Sequence, residues 1–135
     1  MISSIEVNWL TILCAGVASF IVGAIWYSVL FGKTWAKLQG VKMGSGKGTG
    51  KLYVINFVAG LVTAYVLVHA LRYAGASTVL DALVVGFWNW LGFFAVTTLL
   101  GSVLWEGKSA KLFCINAGYW LVNLWVMSLI LTLWS

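Results

Sequence analysis

The chain has 135 residues, 62% of them hydrophobic and 8% charged, with a formal net charge of +5. Soluble domains are nearer half apolar and a quarter charged, so a water-soluble globular fold is excluded. A transmembrane β-barrel is excluded as well, because it needs alternating segments of about ten residues and the apolar runs here are long and continuous.

A helix rises about 1.5 Å per residue, so crossing about 30 Å of hydrocarbon takes about 20 apolar residues. Four such runs fit the chain: roughly Trp9 to Phe31, Leu52 to Tyr73, Leu83 to Leu104 and Leu112 to Trp134. The expected fold is an all-α membrane protein, a single domain over residues 1–135 with four transmembrane helices.

Ahead of the first run lies Glu6, and Trp9 marks a headgroup-level anchor. The stretch lacks the basic region and cleavage site of a secretory signal and its apolar run is too long for one, so this helix is expected to be retained. Ala15, Ser19 and Gly23 recur every four residues, a small-residue face that lets another helix approach closely. Cys14 and Cys114 are expected at opposite depths, where they cannot bridge, and to serve as small buried residues.

The first helix leads into a basic loop, residues 32–51. There Trp35 and Leu38 alternate with Lys33 and Lys37 in a short piece expected to lie along the interface. The glycine-rich stretch Val41 to Gly50 follows. It is no phosphate-binding loop, because the Gly-x-x-x-x-Gly-Lys spacing fails and no strand precedes it. The second helix carries the small pair Gly60 and Ala64, and the brief turn Ala74 to Thr78 forces an antiparallel neighbour. A charged corner from Gly101 to Lys111 joins the third helix to the fourth.

The loops on one side hold Lys33, Lys37, Lys42, Lys47, Lys51, Lys108 and Lys111, against Arg72 alone on the other. Short basic loops stay in the cytoplasm, so both termini are expected outside the bacterial inner membrane. At an offset of 60, Lys51, Leu52, Ile55 and Asn56 match Lys111, Leu112, Ile115 and Asn116; at 69, Gly23, Leu30 and Gly32 match Gly92, Leu99 and Gly101. These echoes point to a parallel duplication of a helix pair.

Three stretches, Gly23-Ala-Ile-Trp-Tyr-Ser-Val-Leu-Phe-Gly-Lys-Thr-Trp35, Val103-Leu-Trp-Glu-Gly-Lys108 and Lys111-Leu-Phe-Cys-Ile-Asn-Ala-Gly-Tyr119, together resemble the bacterial family called domain of unknown function 1761. The resemblance covers nearly the whole chain and implies a small four-helix membrane protein, with no established activity or catalytic residue. Where that family usually has proline after Trp-Tyr-Ser, this chain has Val29, so the resemblance carries no proline kink.

Two constellations draw attention. Asn116, Tyr119, Trp120, Asn123 and Met127 share one face of the fourth helix, while Asn56 and Thr63 form a similar face on the second and Asn89 joins from the third. These residues either hold helices together or line a polar path. At the outer rim, Tyr65, His69 and Arg72 share a face of the second helix, with Asp81 across the turn and Glu6 at the start of the first. That rim is expected to be solvated or ion-paired, the other reading being a protonatable gate. Of nine tryptophans, Trp26, Trp88, Trp90, Trp120 and Trp125 fall inside the apolar runs, as packing residues, lipid-facing bulk or the walls of an aromatic cavity.

No catalytic residues, metal-ligand cluster or cofactor motif are expected, since His69, Cys14 and Cys114 have no suitable spacing and no nucleophile motif appears. The positive charge suits topology and anionic headgroups, and nucleic acid is not an expected partner. The leading functional expectation is a non-catalytic membrane protein whose partners are the lipid bilayer and either copies of itself, as a homo-oligomer, or a larger membrane complex. The alternative is a small-solute or ion transporter or channel, its asparagine faces lining the path.

Overall fold

The computed structural model describes residues 6–39 and 49–134, and among these every regular element is helical. Four helices are long and apolar enough to cross a membrane: α1 (Trp9–Leu30), α3 (Thr49–Tyr73), α4 (Val79–Trp105) and α5 (Ala110–Leu133). A short helix, α2 (Gly32–Gln39), follows α1. Lys42, Lys47 and most of the glycine-rich stretch lie outside the described residues.

Local chemistry sets the ends of these helices. The Asn8 side chain caps α1, accepting from the amides of Leu10 at 3.1 Å and Thr11 at 3.4 Å. Gly75, at φ 73°, closes α3: the Ala76 amide reaches back to the Leu71 carbonyl and the Gly75 amide to that of Arg72. Thr78 and Asp81 then form a reciprocal capping box. That box starts α4 at Val79, four residues ahead of the expected Leu83, because capping chemistry outweighs the onset of hydropathy. Gly107, at φ 71°, turns the chain out of α4, and the Ser109 hydroxyl caps α5.

Two of the spanning helices are not α-helical throughout. α1 widens into a π-helical turn over Trp26–Leu30, where the Phe31 amide bonds the Trp26 carbonyl at 2.9 Å. The widening falls on Trp-Tyr-Ser-Val, so the helix departs from regularity there without proline. α4 does the same over Trp90–Ala95 and Leu99–Trp105.

α5 is the central element: α1, α3 and α4 all pack on it, α1 also packs along α3, and α3 meets α4 only lightly. The halves suggested by the duplication therefore have unequal packing. The expected small-residue faces are where α1 and α3 meet: Ala15, Ser19, Gly60 and Ala64 are buried, and a Cβ on Gly60 would lie 3.7 Å from the Gly16 carbonyl oxygen. Gly16 belongs to the same contact, since its Cβ would fall 2.6 Å from a Leu61 methyl.

The dry core sits in one half of the bundle. Ile12, Ala15, Ala64, Leu67, Val68, Leu71, Met127 and Leu131 cluster toward the end that bears Arg72. The opposite half, which ends in Lys33, Lys37, Lys51, Lys108 and Lys111, is packed with aromatic and polar side chains instead. Apolar residues such as Val29, Val54 and Phe93 are exposed on the flanks, as hydrocarbon-facing positions should be.

Candidate functional site: a polar aromatic cavity at the lysine-bearing end

The site is assembled by α5, which brings Asn116, Tyr119 and Trp120 down one stripe, and by the π-helical end of α1, which turns Tyr27 toward them. The Tyr27 hydroxyl donates to Asn116 Oδ1 at 2.7 Å. Its ring meets the Tyr119 ring edge-on at 5.1 Å and the Trp35 ring of α2 at 5.6 Å. Gly23 permits this approach, because a Cβ there would stand 3.2 Å from the Tyr119 hydroxyl. Ser28 bonds back to its own helix at the Ala24 carbonyl.

Indole N–H groups hold the frame. Trp26 Nε1 donates to the Ile115 carbonyl at 3.0 Å, and Gly118 leaves room for its ring. Trp90 Nε1 reaches the Ala117 carbonyl at 2.8 Å, and Trp125 Nε1 the Leu83 carbonyl at 2.9 Å. These tryptophans tie α1 to α5 and α4 to α5 by directed bonds, a role beyond the packing or lipid-facing bulk expected of them. A helix carbonyl keeps a second lone pair free for such a donor.

Between these elements lies a cavity of about 890 Å³. Seven aromatic residues line it, Phe20, Tyr27, Trp35, Tyr53, Phe113, Tyr119 and Trp120, interleaved with the amides of Asn56 and Asn116 and the hydroxyls of Ser19, Ser28, Thr98 and Ser102. The volume lies within the range of sites that enclose small molecules. Lys108 lines it too, with its side chain 45% exposed and 3.5 Å from Glu106, so the cavity reaches the surface at the lysine-bearing end, and the exposed Phe20, Tyr53 and Asn56 leave it open along the flank as well. Its inner wall includes Gly60 and Ser19. At about 1.5 Å per residue, Tyr119 sits about 13 Å along α5, so the cavity runs toward the middle of the span.

The expected polar face divides. Asn56, Asn116 and Tyr119 meet at the cavity. Thr63 donates to the Ala59 carbonyl and Asn89 to the Val85 carbonyl, both within their own helices, so neither joins it. Asn123 is fully buried, one turn beyond Tyr119, and neither atom of its amide has a hydrogen-bond partner. The residues that the face did not include, Tyr27, Ser19, Ser28, Thr98 and Ser102, come from α1 and α4. Their signal was the polar Tyr27-Ser28 pair inside an otherwise apolar run.

Trp9 stacks on Tyr65 at 5.6 Å, and His69 lies against Tyr65 with its Nδ1 2.7 Å from the Tyr65 carbonyl. Asp81 is engaged by the amides of Ser77 and Thr78 in its cap, and Glu6 is exposed. Arg72 is exposed at the end of α3. The cysteines are both free, with Cys14 half-buried and Cys114 exposed.

Four apolar spans, three of them packed on the fourth, with a polar aromatic cavity at one end, define a polytopic α-helical membrane protein. The chain belongs to the family described as "Protein of unknown function (DUF1761)", whose pattern it matches over residues 10–132. No curated protein and no solved structure matches it.

Proposed function

We propose that the protein acts non-catalytically in the bacterial inner membrane, admitting a small solute to the cavity from the lysine-bearing end as the loading step of transport. The observation that carries this reading is the convergence of Asn56, Asn116 and Tyr119 on one cavity that the exposed Lys108 also lines. Asn116 accepts the interhelical bond from Tyr27 through its Oδ1 and still lines the cavity together with Asn56 and Tyr119. By the positive-inside rule the lysine-bearing end faces the cytoplasm and both termini lie outside.

Thiol labelling tests this reading. In a Cys14→Ser, Cys114→Ser background, single cysteines replace Asn56, Ser102 and Val58, the last exposed on another face of α3 at a depth similar to Asn56. A membrane-impermeant methanethiosulfonate is expected to modify positions 56 and 102 from the lysine-bearing side and to spare 58. Labelling of 58 alone, or of none, removes the water-filled route on which the reading depends.

A second reading is favoured by Asn56, which remains exposed on α3 beside the lightly packed α3–α4 seam. Association of copies along this seam would cover the amide and complete the wall of the cavity. Crosslinking between cysteines at Thr63 of two copies, on the same face of α3 as Asn56, in native membranes is the expected signature of such an oligomer.

A further inference from the structure

We infer that the cavity's ligand is a small amphiphilic anion built on a ring system, held with its charged group at the mouth beside Lys108 and its rings among the aromatic side chains. This rests on the cavity being a binding site, and goes further by naming what it takes.

Charge comes first. The described residues at the mouth end include five lysines, 33, 37, 51, 108 and 111, all exposed, against one carboxylate, Glu106. Among the described residues that line the cavity, none is acidic and Lys108 is the cation. A concave, low-dielectric opening under a surplus of positive charge draws anions and repels cations. Glu106 sits 3.5 Å from Lys108 with both side chains largely exposed, a solvated pair that an incoming anion can replace or share.

Shape and wall chemistry fix the rest. Seven rings line the space, with edge-on and tilted contacts such as Tyr119 with Trp120 at 5.1 Å and Phe94 behind Trp120 at 5.5 Å. Such walls match a flat body better than a flexible chain, because rings gain directed contacts with rings and lose little conformational freedom. The hydroxyls and amides deeper in the cavity offer both donors and acceptors, so the far end of the ligand can carry a neutral polar group. A strong cation there would find no countercharge.

Equilibrium dialysis of the full chain in neutral maltoside detergent, with detergent on both sides, tests the inference with three probes of one shape: 2-naphthoate, 2-naphthamide and 2-naphthamidinium. Naphthoate is expected to bind about fivefold more tightly than the amide, and the amidinium more weakly still, the span of a half-solvated charge contact. Lys108→Gln should bring naphthoate close to the amide. Ala59→Trp, or Ala24→Phe from the α1 side should the first not fold, should abolish the excess of every probe. Equal binding of all three probes, lost in the filled variants, would overturn the charge assignment and leave the cavity as a binding site. Naphthoate binding that survives filling, or no binding of any probe, overturns the inference outright. Thiol labelling at positions 56 and 102 then decides separately whether the cavity admits water.

Discussion

The Tyr27 hydroxyl donates to Asn116 at 2.7 Å, joining the one irregular turn of α1 to the first asparagine of α5. The bond spans 89 positions of sequence and closes one wall of the cavity. Interhelical side-chain bonds of this kind contribute about 0.6 to 2 kcal/mol in membranes. A double-mutant cycle with Tyr27→Phe and Asn116→Leu, followed by unfolding in mixed micelles, should return a coupling energy in that range. Additive single effects would show that the two groups do not meet.

Asn123 has the opposite situation. Its amide is fully buried with no partner, and an unpaired buried polar group costs about 1 to 3 kcal/mol. Asn123→Leu is therefore expected to raise stability by about 1 kcal/mol or more in the same unfolding measurement. A loss of stability would mean that the amide is satisfied in the membrane.

Glycines sort by what stands beside them. A Cβ on Gly86 would come within 3.0 Å of the Trp125 ring and 3.2 Å of the Ser128 hydroxyl, and that ring is fixed by its bond to Leu83. Gly86→Ala should displace the indole and cost about 1 to 3 kcal/mol. Gly92→Ala, with open space around it, should be neutral or stabilising by about 0.5 to 1 kcal/mol. Thermal unfolding in detergent ranks the two variants.

The start of α4 depends on a side-chain cap rather than on burial. Thr78→Ala removes the acceptor for the Asp81 amide at 3.1 Å and should cost about 1 kcal/mol. Hydrogen exchange should quicken over the first turn from Val79 and stay unchanged in α5.

Orientation is tested on the whole chain. A C-terminal alkaline phosphatase fusion should be active in a bacterial host, and a C-terminal green fluorescent fusion dark. The reverse pattern would place the lysine-bearing end, and the mouth of the cavity, outside.

Hydropathy alone located the four spans, because a chain crossing hydrocarbon has few other options. Spacing found the close contact of Ala15, Ser19 and Gly23 with their neighbours for the same reason: small residues are the ones that let backbones approach. The stripe from Asn116 to Asn123 was legible as a face, but its destination was not. Periodicity says which residues lie together on a helix and nothing about which helix faces them. Thr63 and Asn89 show the limit, since each satisfies itself on its own backbone one turn away. Tyr27 was hidden by the π-helical turn, which rotates side chains away from the positions a regular helix assigns. At the rim, what the sequence left unseen is that the Asp81 carboxylate is committed to its cap.

The indole contacts carry a consequence for how this chain can vary. Trp26, Trp90 and Trp125 each grip a main-chain oxygen, at Ile115, Ala117 and Leu83. Every residue type supplies that oxygen, so the gripped positions can drift through apolar substitutions without breaking the bond. Paired changes between the two ends are not required. A search for correlated substitutions would therefore pass over three of the contacts that hold this bundle in register.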